Sequence, residues 1–482
     1  MLCFAVFLAK PASSAAPAPA AKTAHGASVH ALLVSDIHFE PFWDPGKVQH
    51  LAAAPVSRWK SILASPPSPN RDAQFKALQQ KCSTRGEDTS YPLYTSSLRA
   101  MQKTAPDARF VTVSGDLISH AFSCKYGALL PQADPNAYRS FVAKSIQFVL
   151  EELRAALPNA RIYAALGNND SDCGDYKLDE NGSFLSDISQ PFAAGLPPAA
   201  RVNAALTFAD AGYYSASLPA PLGHTRLLVL DDTFMSRRYT ACSGKADPAG
   251  ADVQIAWLRA QLASARENQE HVWVMGHIPP GIDPYSTAAK LRNVCASATP
   301  EMFLSSDELP HLLAEYDDII QLALFAYTHM DEMRLLKPDS DTGAGSGPGV
   351  PLKFVPSISP INGNSPSFVV ATIDPSSAVL ADYRVIAASR SDGAPSTAWL
   401  EEYDYDATYR QRAFDAPALT KLFAGFAQDP AASTEASEAY LRNYFVRDRS
   451  LELRFFWPQY VCALSAYSTE PYKTCRCATP AQ

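Results

Sequence analysis

Six side chains that are good metal ligands follow apolar segments of this sequence, in five separate places. They are Asp36, His38, Asp116, Asn168, His277 and His329. Aspartate, asparagine and histidine supply oxygen and imidazole ligands that suit Zn²⁺, Mn²⁺ or Fe ions. One such residue after a strand usually caps a helix or forms a polar turn, but five places in succession are difficult to explain by capping. The pattern therefore predicts a metal centre.

The apolar segments that precede these residues have the character of buried strands. Short continuous apolar runs are typical of strands covered on both faces. The predicted strands are His30–Ser35, Ala108–Ser114, Arg161–Leu166, Arg226–Leu230, His271–Met275 and Ile319–Phe325. Helical patterns lie between them, over 136–157 and 253–266, so the chain is predicted to have an α/β fold. Ligand sites in such folds gather at the carboxyl ends of strands, so the six side chains are expected to converge.

The pattern changes in the last third of the chain. Three apolar runs follow one another without a helix and predict an antiparallel sheet, over 352–355, 368–373 and 380–385. After about residue 390, helices rich in aromatic residues are predicted over 397–426 and 433–455. We expect residues 28–390 to form the main, catalytic domain and residues 391–482 a C-terminal helical region.

The order of the ligand motifs resembles the calcineurin-like metallophosphoesterase superfamily, whose pattern is D-x-H, G-D, G-N-H-[DE], G-H and G-H-x-H. Within it, the chain is most similar to the acid-sphingomyelinase-like phosphodiesterases. The segments that carry this similarity are DIHFEPFWD (Asp36–Asp44), GHIPPG (Gly276–Gly281) and PSISPINGNSPSF (Pro356–Phe368). The resemblance covers about Val34 to Ile386 and implies a four-layer α/β/β/α sandwich followed by a C-terminal helical region.

The resemblance also assigns roles to the ligands. Asp36, His38 and His329 would hold metal one, Asn168 and His277 would hold metal two, and Asp116 would bridge both. The implied cofactors are two divalent ions, with Zn²⁺ expected and Mn²⁺ or Fe as alternatives. Such a pair lowers the pKa of a bridging water and neutralises a phosphoryl transition state, so the implied reaction is attack of a metal-bridging hydroxide on a phosphodiester or phosphoanhydride.

Two further positions are candidates for catalytic residues. His120 lies four residues after Asp116, and the resemblance implies that it faces the phosphate or the leaving group. Asn169 stands where the G-N-H-[DE] motif has a histidine. An amide can donate a hydrogen bond but cannot act as an acid, so Asn169 favours leaving groups that need little protonation, unless His120 takes over the role of acid.

A larger departure from the family pattern is Tyr327, which replaces a metal-two ligand of the last motif. A phenolate can bind a hard trivalent ion such as Fe³⁺, so Tyr327 is kept as a candidate ligand. The favoured interpretation is that metal two has lost a ligand and binds weakly, or is completed by water.

Composition and cysteine usage indicate an exported small-molecule enzyme. The 41 Lys and Arg against 49 Asp and Glu give a net charge of −8, which argues against a nucleic-acid footprint. No apolar run is long enough to span a membrane. Residues 1–27 resemble a signal peptide, although an imperfect one, and the eight remaining cysteines suggest up to four disulfides. We expect a secreted or periplasmic monomer.

Three functions remain open on the sequence. The first is a secreted dimetal phosphohydrolase that acts on small phosphodiesters, nucleotides or polyphosphate. Sphingomyelinase itself carries a lipid-extracting domain ahead of the catalytic one, for which the 35 residues before Asp36 leave no room, so soluble substrates are expected. The second is an endopolyphosphatase-like hydrolase, suggested by Asn169, although a polyanion prefers a basic groove. The third is a catalytically weakened metal-binding protein, suggested by Tyr327 and Asn169.

Overall fold

Two six-stranded sheets form the centre of the computed structural model, which describes residues 28–132, 134–338, 347–447 and 451–478. The predicted signal peptide over 1–27 lies outside the described residues. The strands are β1 Val29–Val34, β2 Phe110–Ser114, β3 Arg161–Ala165, β4 Tyr214–Ser217, β5 Thr225–Val229, β6 His271–Met275, β7 Ile320–Phe325, β8 Glu332–Leu336, β9 Val350–Phe354, β10 Ser367–Ile373, β11 Leu380–Ala388 and β12 Trp399–Asp404.

Parallel strands lie at the centre of both sheets. The first sheet has the order β12-β11-β10-β1-β2-β3 and the second has the order β4-β5-β6-β7-β9-β8. Strands β1, β2 and β3 are parallel, with Leu33 opposite Thr112 and Val111 opposite Ile162. Strands β5, β6, β7 and β9 are also parallel. The carboxyl ends of several strands therefore lie at one edge of each sheet, an arrangement that brings the residues of the following loops together.

The inner faces of the two sheets share one hydrophobic core. Val113 of the first sheet and Leu227, Trp273 and Leu324 of the second are fully buried in the same cluster. The rings of Phe110 and Trp273 meet across the sheets with centroids 5.8 Å apart. Side chains on both strand faces are buried, which explains why these strands appear in the sequence as continuous apolar runs.

Helices cover the outer faces and complete the four layers. The longest is α6, which begins after Asp134, whose side chain accepts the backbone N–H of Ala137. The helices are α1 Val48–Ala53, α2 Trp59–Leu63, α3 Arg71–Lys81, α4 Tyr91–Thr104, α5 Phe122–Leu129, α6 Pro135–Ala156, α7 Ser183–Ala193, α8 Pro198–Ala211, α9 Ala249–Glu267, α10 Pro284–Ala289, α11 Glu308–Glu315, α12 Tyr405–Tyr409, α13 Ala416–Ala427, α14 Glu435–Asn443, α15 Leu451–Phe455, α16 Trp457–Ala463 and α17 Thr469–Cys477. The predicted α/β/β/α class with C-terminal helices is confirmed.

Two of the sequence predictions for strands and helices are wrong in detail. The run over 352–355 does not join the strands that follow it, because β9 pairs parallel with β7 in the second sheet. Its neighbours β10 and β11 pair antiparallel in the first sheet, so the intervening loop crosses from one sheet to the other. The helix predicted from residue 397 begins instead with the strand β12, which pairs with β11 and extends the first sheet beyond residue 390.

The C-terminal helices are fastened to the second sheet. The backbone N–H of Asp331 donates to Tyr444 O at 2.9 Å, and that of Leu335 donates to Leu464 O at 2.8 Å. Lys353 and Asp331 form a buried ion pair nearby, and the Tyr403 hydroxyl donates to Asp331 at 2.6 Å. These contacts hold the C-terminal aromatic residues against the edge of the sheet.

All eight cysteines outside the N-terminal segment form disulfides, as the even count predicted. The pairs are Cys82–Cys124, Cys173–Cys242, Cys295–Cys477 and Cys462–Cys475. Disulfides persist in oxidising compartments, which is consistent with an exported protein. Among the helices of the described residues, none is both long and apolar enough to cross a membrane.

Candidate metal centre

The first group of predicted ligands converges as expected. The Nε2 atoms of His38 and His329 are 3.2 Å apart. Asp36 Oδ1 lies 3.7 Å from the first nitrogen and 3.5 Å from the second. His38 donates its Nδ1–H to Ile118 O at 3.0 Å, which leaves the Nε2 lone pair directed at the cluster. Asp36 Oδ1 and the two Nε2 atoms therefore face one another, and all three residues are buried.

The second group of predicted ligands has the same character. His277 donates its Nδ1–H to Ser114 O at 2.8 Å, so its Nε2 lone pair faces Asn168 Oδ1 at 3.1 Å. The Asn168 amide is oriented by Asp175, which accepts its Nδ2–H at 2.7 Å. The amide oxygen is consequently turned toward the imidazole nitrogen, which places two acceptors in contact.

Asp116 joins the two groups. Its Oδ2 atom is 3.3 Å from the Nε2 of His38 and 3.3 Å from the Nε2 of His277. Asn169 holds this carboxylate from the opposite side, with its backbone N–H on Oδ1 and its amide on Oδ2, both at 2.8 Å. One oxygen thus lies at the point where the two clusters meet.

These contacts fit a pair of bound cations. Asp36 Oδ1 is buried and has no hydrogen-bond partner among the described residues. Leaving such an atom unpaired costs about 1–3 kcal/mol, which a bound cation would offset. The donor set of carboxylate, amide oxygen and imidazole suits divalent ions such as Zn²⁺, Mn²⁺ or Fe²⁺. The six ligands that the sequence predicted are brought together, and their individual roles remain predictions.

The electrostatics of the pocket favour positive charge. Burial by itself lowers the pKa of the His38 and His277 imidazoles, but Asp116 beside them raises the pKa values to about 9 and about 10. For His329, burial dominates and lowers the pKa to about 4. The carboxylate between the two clusters therefore stabilises cations on both sides.

The backbone at the ligands is strained. Asp36, His38, Asp116, Tyr327 and His329 all have φ between +42° and +69°. This left-handed region costs a residue other than glycine about 1 kcal/mol or more. The loops are also tightly packed: a Cβ on Gly167 would lie 2.2 Å from Asp116 Oδ1. Strain of this kind clusters at functional sites, where the surrounding fold holds it in place.

His120 lies directly beside the first cluster. Its ring stacks on that of His38 with centroids 4.0 Å apart. Asp88 accepts the Nδ1–H of His120 at 3.0 Å and also its backbone N–H at 2.9 Å. The side chain of His120 is 33% exposed, whereas that of Asp88 is 1% exposed. A buried carboxylate thus fixes an imidazole whose other nitrogen is left for the cleft.

Tyr327 lies in the cleft, but its hydroxyl is engaged with another residue. Tyr176 donates its O–H to Tyr327 Oη at 2.7 Å. The Tyr327 ring meets His277 edge-on with centroids 5.8 Å apart. Burial raises the pKa of the Tyr327 phenol, which disfavours the phenolate that a metal would need. These contacts favour the interpretation that metal two has lost a ligand here, and the ligand role of Tyr327 stays a prediction.

Comparisons with known proteins agree with the motif resemblance. No family model matches the chain. Sphingomyelinase phosphodiesterase D of Dictyostelium discoideum is 27% identical over 330 residues, which are 67% of this chain and 66% of that protein. Human acid sphingomyelinase-like phosphodiesterase 3b is 23% identical over 405 residues, 80% of each chain. The chain is similar to acid-sphingomyelinase-like phosphodiesterases over most of its length.

Other comparisons are more distant. Human cyclic GMP-AMP phosphodiesterase SMPDL3A is 23% identical over 294 residues, which are 60% of this chain and 58% of that protein. A dimetal phosphatase from Danio rerio is 13% identical, with a TM-score of 0.39 over 74% of this chain and 95% of that chain. The phosphodiesterase names of the relatives support the enzyme class predicted from the sequence, a phosphoric ester hydrolase.

Sequence reasoning missed several residues that position the site. Asp170 accepts the backbone N–H groups of Leu117 and Gly167 and so ties two ligand loops together. Asp232 accepts the backbone N–H of His277 at 2.9 Å. Asp88 had no local signal, because it meets His120 from a loop 32 residues away. The disulfide between Cys173 and Cys242 anchors the acidic loop 170–175 that follows the third ligand motif.

Proposed function

We propose that this phosphodiesterase is an exported enzyme that hydrolyses small-molecule phosphodiesters or phosphoanhydrides with the help of two divalent cations. The observation that carries the proposal is the position of Asp116 Oδ2, at the same distance from His38 Nε2 and His277 Nε2. Cations held by these groups would activate a water molecule and neutralise the charge of the phosphate.

The ligand side chains are oriented before any ion arrives. His38 and His277 are fixed by backbone carbonyls, and Asn168 is fixed by Asp175. Partners of this kind set the tautomer and direction of each ligand, and their loss typically weakens metal binding about 10- to 100-fold. Asn169 acts on Asp116 in the same way, so its role here is to position the bridging carboxylate.

His120 is the residue best placed to handle the proton of the leaving group. Asp88 holds its Nδ1–H, which leaves Nε2 to face the cleft. Asn169 cannot supply a proton. We assign to His120 the role of proton donor to the leaving oxygen, and to Asp88 the role of a positioning residue.

The cleft has the size of a small-molecule site. Its volume is about 510 Å³, and its lining includes Asp116, His120 and Asn168 together with Tyr444 and Tyr460 of the C-terminal helices. Sites for small ligands typically span about 300–1,000 Å³. The relatives are named for sphingomyelin and cyclic GMP-AMP, so a small phosphodiester is the substrate class that we assign.

Metal removal tests this proposal. Purified protein should contain about two divalent ions by elemental analysis and should hydrolyse bis-p-nitrophenyl phosphate. EDTA should abolish turnover, and added Zn²⁺ or Mn²⁺ should restore it. Turnover that survives complete removal of metal would contradict the proposal. Less than one metal together with no turnover would favour the weakened metal-binding protein instead.

Tyr327→His should tighten the binding of the second ion, because it returns an imidazole to a position that faces His277. We expect the dissociation constant of the second metal to fall roughly 10-fold or more, measured by competition with a chelating dye. Tyr327→Phe is the control and should leave metal affinity unchanged, since the phenol is not counted as a ligand. Unchanged affinity in the histidine variant would show that position 327 does not face the metal.

A further inference from the structure

The cleft wall beside the metal-two ligands contains Arg238, which contacts Tyr176 and through it Tyr327. The guanidinium of Arg238 lies over the ring of Tyr176, with its carbon 4.0 Å from the ring centroid. Arg238 Nη1 donates to Tyr176 Oη at 3.0 Å, and Tyr176 donates in turn to Tyr327 Oη at 2.7 Å. All three residues line the same cleft as Asp116 and His120.

The charge of Arg238 is only partly compensated. Arg238 Nη2 lies 3.8 Å from Asp175 Oδ2, which is too far for a hydrogen bond. The other oxygen of Asp175 already accepts the amide of Asn168. The side chain of Arg238 is 63% exposed. A guanidinium has five N–H donors, so Arg238 retains donors for another acceptor.

Its sequence neighbour Arg237 has a different environment. Arg237 lies 3.2 Å from Glu301, a carboxylate that it shares with Lys290 and Arg292. Arg237 lines a separate cavity and is not part of the cleft wall. The two adjacent arginines thus differ in position while carrying the same charge, which makes Arg237 a matched control.

The tyrosines complete a donor surface. The O–H of Tyr176 is directed at Tyr327 Oη, so the O–H of Tyr327 is left to donate elsewhere. A chain that runs from a guanidinium through one hydroxyl to the next polarises the last O–H and strengthens its donation. Arg238 and Tyr327 therefore present N–H and O–H donors to the cleft side by side.

We propose that Arg238, together with the hydroxyl of Tyr327, forms an oxyanion subsite that binds a phosphate next to the one that is cleaved. The planar fork of arginine matches phosphate oxygens. Asp175 accepts a hydrogen bond from Asn168 and also lies 3.8 Å from Arg238. The subsite therefore lies next to the metal-two ligands. This inference rests on the proposed function. The subsite selects substrates whose scissile phosphate carries a second phosphate through an anhydride bond.

Kinetics with two nucleotide substrates test the subsite. ATP has neighbouring phosphates, whereas thymidine 5′-(p-nitrophenyl) phosphate has only the scissile one. In Arg238→Gln we expect the KM for ATP to rise about 10-fold or more, because one charge-assisted hydrogen bond to the substrate is lost. The KM for the nitrophenyl ester should change less than about 3-fold. Arg237→Gln should change neither KM.

A binding measurement separates this proposal from the proposed function. Calorimetry with adenosine 5′-(α,β-methylene)diphosphate needs no turnover, and Arg238→Gln should bind it about 10-fold more weakly than the wild type or Arg237→Gln. Equal effects of Arg238→Gln on both substrates, or unchanged binding of the analogue, would overturn the subsite. If the wild type hydrolyses neither substrate but binds the analogue through Arg238, the subsite stands and the hydrolase proposal fails.

Discussion

Asp116→Asn should lower the kcat/KM for bis-p-nitrophenyl phosphate by roughly 10³-fold or more. In the part of the chain that the structure describes, this carboxylate lies 3.3 Å from a ligand of each cluster. A neutral amide carries less charge, and one of its two ends is a donor that would face His38 and His277. The variant should also lose metal, falling from about two ions toward one or none by elemental analysis.

The accompanying control is Asp429→Asn. Asp429 is also a buried carboxylate, it accepts the backbone N–H groups of Ser433 and Thr434, and it is not among the residues that line the cleft. Its loss should lower stability by about 1 kcal/mol while leaving kcat/KM and metal content intact. A near wild-type rate in Asp116→Asn, with both ions retained, would be incompatible with a dimetal site built on this residue.

Asp88→Asn should reduce the kcat for poor leaving groups by about 100-fold, the lower end of the range for a general acid. His120 Nδ1 then loses its anionic partner, so the imidazole is free to turn or to adopt the other tautomer. Nitrophenyl esters need little protonation and should be much less affected. The measurement compares an alkyl phosphodiester with bis-p-nitrophenyl phosphate.

A double-mutant cycle with His120→Gln tests whether the two residues act together. If Asp88 works through His120, the double variant should be no slower than His120→Gln alone. Asp88 also lies 3.8 Å from Lys125, which is paired with Glu40, so thermal unfolding must be recorded for each variant. Equal losses on both substrates, or additive losses in the cycle, would indicate a structural role for Asp88 and not a positioning role.

The convergence of the predicted ligands could be expected from the sequence because each of them follows a buried strand. The parallel strands β1, β2 and β3 carry Asp36, Asp116 and Asn168 to one edge of the first sheet. The alternation of strands and helices is a local signal, and so is the position of a polar residue at a strand end. Both signals can be recognised without knowing how distant segments pair.

The parts that escaped prediction depend on contacts between distant segments. Asp88 and Arg238 lie in loops whose partners are far away in the chain. Strand β9 has the same apolar character as β10, and only tertiary pairing assigns it to the other sheet. The helix predicted from residue 397 was wrong at its start because aromatic residues suit both helices and strands, and β12 joins the sheet through its pairing with β11.

The first ligand cluster is completed by His329, a residue that is synthesised late. His38 and His329 are 291 residues apart in sequence, yet their imidazoles touch. Strand β1 likewise cannot form its antiparallel pairing until β10 has been synthesised. A nascent chain growing from its N-terminus therefore has no complete ligand cluster until most of its length has emerged. A cation held by this cluster would therefore be taken up late in maturation, after His329 has been made.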